Sequence, residues 1–197
     1  MTRIIAGSAR GRRLSVPASG TRPTADRVRE ALFSTLQSML DARGVAWSSL
    51  TVLDGYAGSG ALGLEALSRG AASVTFVEKR APAAAIIRRN IGLVGLPGST
   101  VVTSSMGTFT ARNGEATPFG LVLLDPPYDV SSQTIAGELR ALGDRGVLEP
   151  DAIIVVERAR ADDRSPLPWD VDQRREYGDT ALWYGRYDAE GSEAGDA

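Results

Sequence analysis

The sequence predicts an α/β protein built on a mostly parallel sheet with helices on both faces. Short apolar segments alternate with helical segments between residues 51 and 156, which is the pattern of consecutive β-α-β units. A glycine-rich turn follows the first of these strands, and an acidic residue ends the second. The chain of 197 residues is long enough for one such domain with a complete core.

The N-terminal part is predicted to form a hairpin followed by a helix. Residues 2–7 and 12–16 resemble two short strands around a turn, and a lone hairpin is only marginally stable, so it must dock on the domain or on a partner. Residues 17–23 are expected to be irregular. Thr24 can then cap a helix from Ala25 to about Leu40, whose apolar residues recur at helical spacing.

The sheet domain is predicted element by element from residue 51 onward. Its parallel strands are expected at 51–54, 73–77, 101–103, 120–124 and 153–156. The helices between them are expected at 61–69, 82–94 and about 132–142, with only a short turn through Phe109 after the third strand. Gly70 ends the first helix, and Pro82 lies in the first turn of the second, where its missing N–H costs little. An antiparallel pair is expected at 171–177 and 181–187.

These elements divide the chain into three predicted parts. Residues 1–45 form a basic N-terminal extension, and residues 46–187 form the sheet domain. Residues 188–197 contain acids but no base and no bulky apolar residue, so this tail is predicted to be disordered.

Positive charge is concentrated in the N-terminal extension. The whole chain has a net charge of −2, but residues 1–30 carry seven arginines against two acids, which leaves +5 there and −7 in the remainder. A basic extension on an acidic body is a typical footprint for a phosphate backbone. Arg10, Arg12 and Arg13 crowd the hairpin turn, where we expect them to meet RNA.

The composition excludes several classes of chemistry. The sequence contains no cysteine and no histidine, so zinc fingers, Cys–His nucleophiles, histidine general bases and the cysteine of pyrimidine-C5 methyltransferases are excluded. No apolar run approaches the length of a membrane span, and the N-terminus lacks the apolar core of a signal peptide. We therefore expect a cytoplasmic protein that contacts no membrane and holds no metal.

The strand endings predict a nucleoside-binding site. Asp54 ends the first strand, and residues 57–60 (Ala-Gly-Ser-Gly) lead into a helix whose first amides can accept polar groups. Glu78 ends the second strand, where such folds hold ribose through its hydroxyls. The spacing Gly58-x-Gly60-x-x-Gly63 formally fits a dinucleotide fingerprint, but Asp54 would repel a pyrophosphate and suits a cationic ligand instead.

A second motif points to methyl transfer. Asp125-Pro126-Pro127-Tyr128 follows an apolar strand. The combination of D-x-x-A-G-S-G with D-P-P-Y resembles the S-adenosylmethionine-dependent amino-methyltransferases. The sulfonium, amino group and ribose of that cofactor account for a site rich in carboxylates.

Further motifs extend the resemblance over residues 3 to about 187. R-I-I-A-G, T-R-P-T-A-D-R-V-R-E-A-L-F, A-G-S-G-A-L-G-L-E-A-L-S-R-G-A, D-P-P-Y and Y-G-D-T-x-L are similar to the bacterial 16S rRNA guanine-N2 methyltransferases of the RsmD type. The one departure is Gly55, where relatives usually carry a larger apolar residue, whereas Tyr56 replaces another aromatic residue conservatively.

The resemblance implies a seven-stranded Rossmann-like class I methyltransferase that modifies one guanine of the small ribosomal subunit or its assembly intermediate, acting as a monomer. It also implies that Ser105 and Met106 lie at the adenine edge of the cofactor. The candidate RNA-binding residues are Arg10, Arg12, Arg13, Arg22, Thr24, Arg27 and Arg29.

The candidate catalytic residues are Asp125, Pro126 and Tyr128. The exocyclic amine of guanine is a poor nucleophile because its lone pair is delocalised into the ring. A carboxylate oxygen of Asp125 and the carbonyl of Pro126 can accept both of its N–H groups, which turns the lone pair toward the methyl group. Tyr128 would stack on the extruded base. On the cofactor side, Asp54 is assigned to the methionine end and Glu78 to the ribose.

Four other functions remain as alternatives. A DNA adenine-N6 methyltransferase also uses [DN]-P-P-[YF], but Asp at 125 and the absence of an evident target-recognition domain disfavour it. A glutamine methyltransferase acting on protein usually shows N-P-P-Y. An NAD-dependent dehydrogenase would leave D-P-P-Y and the basic extension without a role. A non-catalytic ribosome-assembly factor would keep the arginines and lose the carboxylates, which are all present.

Overall fold

The computed structural model describes residues 2–16, 24–112 and 117–189. The predicted irregular segment 17–23, which includes Arg22, lies outside the described residues, as does the predicted tail from residue 190 onward. Across the described ranges, no helix is both long enough and apolar enough to cross a membrane.

The chain forms nine strands and five α-helices within these ranges. The strands are β1 (Thr2–Arg3), β2 (Arg13–Leu14), β3 (Thr51–Gly55), β4 (Ser73–Glu78), β5 (Ser99–Thr103), β6 (Phe119–Leu124), β7 (Leu148–Ala159), β8 (Val171–Tyr177) and β9 (Thr180–Arg186). The helices are α1 (Thr24–Arg43), α2 (Ala61–Arg69), α3 (Ala81–Val94), α4 (Met106–Arg112) and α5 (Ser132–Asp144).

Seven of the strands form one mixed sheet in the order β5-β4-β3-β6-β7-β9-β8. The strands from β5 to β7 are parallel, whereas β9 pairs antiparallel with both β7 and β8. The predicted seven-stranded, mostly parallel sheet is therefore confirmed. The chain reverses its direction of winding between β3 and β6, and in such sheets ligands bind outside the carboxyl ends of the strands at this point.

The N-terminal elements share a core with the sheet. Phe33 and Leu36 of α1 are fully buried and belong to the same apolar cluster as Val52 of β3 and Leu64 of α2. Ile4 of the hairpin is buried in the same cluster. The predicted domain boundary at residue 45 stays a prediction, but the extension packs on the sheet domain.

The hairpin is shorter than predicted because α2 takes its backbone hydrogen bonds. The fully buried Glu65 accepts the amides of Ile5 and Ala6 at 2.7 and 3.0 Å. Ser68 accepts the amide of Ser8 through its carbonyl at 2.7 Å and that of Ala9 through its hydroxyl at 3.0 Å. The hairpin therefore docks on the domain, as its marginal stability required.

Two elements differ from the sequence prediction. β7 has twelve residues rather than the predicted four, because the pairing with β6 is irregular between Phe119 and Leu121 and admits the polar segment 149–151. Asp151 has a φ of 59° there. The short turn predicted through Phe109 is instead the helix α4, whose first turn is capped by the Ser105 hydroxyl accepting the Thr108 amide at 3.1 Å.

Candidate functional site

A cleft of about 860 Å³ lies at the carboxyl ends of β3, β4 and β6. It brings together most of the predicted site residues. Those that line it are Gly58, Ser59, Glu78, Ser105, Met106, Asp125, Pro126 and Tyr128. The other three predicted cofactor residues are buried: Asp54 near the end of β3, and Ala57 and Gly60 in the loop between β3 and α2.

Asp54 fixes the loop between β3 and α2. Its Oδ2 accepts the amide of Gly63 at 2.8 Å, and its Oδ1 is buried without a partner among the described residues. Burial raises the pKa of this carboxyl well above its usual range, opposed by the Gly63 amide, and the negative charges of Asp125 and Glu78 raise it further. A buried oxygen without a partner is costly, so this atom calls for a donor.

The packing of α2 against β4 requires glycine at position 63. A Cβ on Gly63 would lie 2.4 Å from the ring of Phe76 and 2.6 Å from a methyl group of Val74. Gly63, the third glycine of the fingerprint, is therefore required for helix–strand packing and is not evidence for a particular ligand.

Glu78 stands at the end of β4 with its carboxylate nearly buried. Its Oε2 accepts the amide of Gly58 at 2.9 Å, and its Oε1 accepts the amide of Arg80 at 2.8 Å. The Arg80 guanidinium forms an ion pair with it at 3.4 Å. Oε1 thus accepts two donors of Arg80, whereas Oε2 has a further lone pair at which a hydroxyl donor can still bind.

Asp125 lies on the floor of the cleft at the end of β6. It is open to the cleft, but protein surrounds it on the other sides, and this desolvation raises the pKa of its carboxyl to about 6. Pro126 is buried, whereas 59% of the Tyr128 surface is exposed. The motif thus presents an acceptor group at the floor and an aromatic ring at the rim.

The adenine-edge candidates occupy the start of α4. Ser105 is exposed and caps this helix, and Met106 is buried in the apolar cluster under it. Gly55 makes room for Met106, because a Cβ there would lie 2.8 Å from the Met106 sulfur and 2.5 Å from a Leu124 methyl group. The departure at Gly55 is therefore a packing adjustment beneath the cleft.

Two polar contacts of the cleft were missed by the sequence analysis. The Tyr56 hydroxyl donates to Glu138 on α5 at 2.6 Å, and both residues line the cleft. The buried Asn90 of α3 donates to the carbonyls of Ser59 and Ser15, both at 2.9 Å, and so links the cofactor loop to the N-terminal extension. Partners 82 and 31 residues apart leave no local sequence signal.

The predicted RNA-contacting arginines have different environments. Arg10, Arg13 and Arg27 are exposed. Arg12 is exposed but donates to the carbonyls of Leu93 and Val94 at the end of α3, which caps that helix.

Arg29, one of the candidate RNA-binding residues, is buried rather than exposed on α1. This residue is only 5% exposed, and its guanidinium donates to the Arg3 carbonyl at 2.6 Å and to Asp26 at 3.1 Å. Burial lowers the pKa of Arg29, while Asp26 and Glu65 raise it. It secures β1 against α1 and also lines the cleft, so its contact with RNA stays a prediction. Thr24 begins α1, and its side chain lies outside the described part of the chain.

The chain matches one family model and several curated proteins. The family described as conserved hypothetical protein 95 matches residues 2–186. Ribosomal RNA small subunit methyltransferase D of Escherichia coli K12 is 36% identical over 198 aligned residues, covering 98% of this chain and 94% of that protein. Its counterpart in Haemophilus influenzae is 38% identical over 160 residues, covering 79% and 77%.

Solved structures agree with this match. The Escherichia coli protein yhhF, assigned as a methyltransferase, has a TM-score of 0.77 at 36% identity and covers 94% of this chain and 97% of its own. An RNA methyltransferase of Salinibacter ruber in complex with S-adenosyl-L-homocysteine has a TM-score of 0.56 at 16% identity, covering 78% and 90%, and shares the fold.

Proposed function

The chain belongs to the family of ribosomal RNA small subunit methyltransferase D, and we propose that it transfers a methyl group from S-adenosylmethionine to N2 of a guanine in 16S rRNA. Its predicted family and Rossmann-like methyltransferase fold are confirmed. The observation that carries the proposal is the single cleft that joins Asp125, Pro126 and Tyr128 to Glu78 and the Gly58–Gly60 loop.

The charge of the cleft suits this cofactor. Asp54, Glu78 and Asp125 come close enough for Glu78 and Asp125 to raise the pKa of Asp54. Three neighbouring carboxyl groups favour a ligand with a sulfonium and an ammonium group and disfavour a pyrophosphate. The buried Oδ1 of Asp54, which has no partner among the described residues, is the acceptor that the methionine end would satisfy.

The residues present can hold the rest of the cofactor. Oε2 of Glu78 keeps a lone pair for a ribose hydroxyl, whereas Oε1 already accepts the backbone amide and the guanidinium of Arg80. Ser105 and Met106 border the cleft where the adenine edge is expected. When bound, the cofactor supplies an electrophilic methyl group on a sulfonium sulfur.

Asp125, Pro126 and Tyr128 would prepare the amine. An Asp125 oxygen and the Pro126 carbonyl accept its two N–H groups, and Tyr128 stacks on the extruded guanine. With the amine held in this way, its lone pair would face the methyl group that the cofactor supplies. Asp125 or water would take the extra proton of the methylated amine.

The finer features of the substrate belong to the same proposal. We expect the target to be presented on the small subunit or an assembly intermediate, and the enzyme to act as a monomer in the cytoplasm. The positive charge of the N-terminal extension supports an RNA substrate of this kind.

The proposal is tested by offering labelled S-adenosylmethionine with small subunits, naked 16S rRNA and duplex DNA side by side. Label recovered as N2-methylguanine in rRNA supports it. Asp125→Ala should reduce this transfer by more than about a hundredfold while much of the cofactor binding remains, since it removes an acceptor of the amine. Label in adenine of DNA instead would overturn the substrate assignment, and near-normal turnover by Asp125→Ala would overturn the role of Asp125.

A further inference from the structure

The backbone of Tyr56 adopts an unusual conformation at the edge of the cleft. Its φ of 58° lies in the left-handed region, which bulky side chains rarely adopt and which is strained at most positions where it occurs. The ring is half-buried against the apolar cluster under α4 and α5. From there the hydroxyl donates to Oε2 of Glu138 at 2.6 Å.

Glu138 connects this loop to a third segment. It lies in the second turn of α5, and its Oε1 packs against Gly107, 3.7 Å from the position of a Cβ built there. Gly107 directly follows Ser105 and Met106, the predicted adenine-edge residues. The Glu138 carboxylate therefore joins the loop after β3, by a hydrogen bond, to the start of α4, by packing, and all of these residues line the cleft.

The environment of Glu138 makes the hydrogen bond from Tyr56 important. Glu138 is partly buried, which raises the pKa of its carboxyl, and the Tyr56 hydroxyl and the nearby Gly107 amide oppose that rise. Hydrogen bonds to an ionised acceptor are stronger than neutral ones, and removing one donor leaves a poorly solvated carboxylate. The contact is thus suited to fixing a distance between two loops.

We propose that Tyr56 and Glu138 are positioning residues that hold the loop after β3 and the start of α4 at the separation required by the nucleoside end of the cofactor. The inference rests on the proposed function, because it takes S-adenosylmethionine as the ligand of this cleft. Neither residue belongs to the Asp125–Pro126 acceptor pair. Losing their contact should therefore weaken cofactor binding and leave the transfer step largely intact.

The direct test is calorimetric binding of S-adenosylhomocysteine to the full chain without RNA. Tyr56→Phe removes only the hydroxyl and should raise the Kd about tenfold, as expected for one lost hydrogen bond to a charged group. The matched control is Tyr187→Phe, which also removes one hydroxyl but at the far end of α5, where it donates to the Gly143 carbonyl at 3.3 Å. This control should bind like the wild type.

Kinetics and a second variant separate positioning from general loss of structure. Tyr56→Phe should raise KM for the cofactor while kcat changes by less than about twofold. Glu138→Gln replaces the charged acceptor of the Tyr56 hydroxyl with a neutral amide and should weaken binding to a similar extent. The double variant should be little worse than either single one, because both remove the same contact.

The outcomes distinguish the inference from the proposed function. A wild-type chain that binds no S-adenosylhomocysteine overturns the proposed function and the inference together. A wild-type chain that binds it, with Tyr56→Phe and Glu138→Gln binding equally well, overturns the inference alone. So does a Tyr56→Phe variant that unfolds cooperatively but loses kcat at unchanged KM.

Discussion

At the scale of single residues, the raised pKa of Asp125 has a kinetic consequence. The proposed role requires a carboxylate acceptor, and desolvation by the protein around the cleft raises its pKa to about 6. Below that pH a proton occupies the group and converts an acceptor into a donor. We predict that kcat/KM falls about tenfold for each pH unit below 6 and is flat above pH 7, measured with rRNA between pH 5 and pH 8.5.

Asp125→Asn provides the control for this prediction. Its amide keeps one oxygen as an acceptor but cannot titrate, so its lower residual rate should lack the fall near pH 6. A fall of kcat/KM near pH 6 that persists in Asp125→Asn would mean that another group titrates there. Cofactor affinity followed over the same pH range separates binding from transfer.

Motif residues could be placed from the sequence, whereas long-range partners could not. Asp54, Glu78 and Asp125 each end a strand, and parallel strands bring their carboxyl ends to one edge, so their meeting was predictable. Glu138 reaches the cleft only through the packing of α5 against α4, and nothing in its local sequence separates it from a solvated helix residue. The burial of Arg29 was missed for the same reason.

At the scale of elements, the Glu65 carboxylate binds the hairpin to α2. Its two oxygens accept the amides of Ile5 and Ala6, and Arg69 donates to one of them at 3.0 Å. Glu65→Gln leaves a single oxygen acceptor for these donors inside the core. We predict that it lowers the free energy of unfolding by about 2–3 kcal/mol, measured by denaturant unfolding.

Amide exchange gives this prediction a local measurement. The amides of Ile5 and Ala6 should exchange faster in Glu65→Gln, while those of β3 and β6 stay protected. Glu30→Gln is the control, because Glu30 is exposed on α1. Unchanged protection of Ile5 and Ala6 would mean that the hairpin is held by its apolar contacts and by Ser68, without need of Glu65.

Element boundaries were predictable where the chain carries stop signals. α2 begins and ends as predicted, since Gly60 and Gly70 flank it and both adopt left-handed φ values of 77° and 109°. β7 was underestimated because Glu149, Pro150 and Asp151 look like a loop in sequence. An irregular pairing with β6 accommodates them. Because that pairing depends on the neighbouring strand, the local sequence of β7 does not reveal it.

At the scale of the whole molecule, the cleft lies at the carboxyl ends of the parallel strands, and the hairpin turn lies toward their amino ends. α2 starts beside the carboxyl end of β3 and runs back, and the turn is bonded to Ser68 in its last turn. The nine residues of α2 span about 13 Å, so these two regions are separated by at least roughly that distance along the helix axis. An RNA that contacts Arg10 and also reaches Asp125 must wrap one side of the domain, which favours a large folded substrate.

The arginines of the N-terminal extension differ in whether they are exposed or hold the fold. Arg10 and Arg13 are exposed, whereas Arg29 is buried beneath β1.

If the two exposed residues contact phosphates, Arg10→Ala combined with Arg13→Ala should reduce the slope of log K against log salt by about 1.4–1.8 and leave Tm unchanged. The slope is measured from the binding constant for 16S rRNA between about 50 and about 300 mM salt. Arg140→Ala, on the exposed side of α5, is the control and should alter neither quantity. Arg29→Ala should lower Tm, because it leaves the Arg3 carbonyl without its donor. An unchanged slope in the double variant would place the phosphate contacts elsewhere, and the hairpin would then serve only to cover α2.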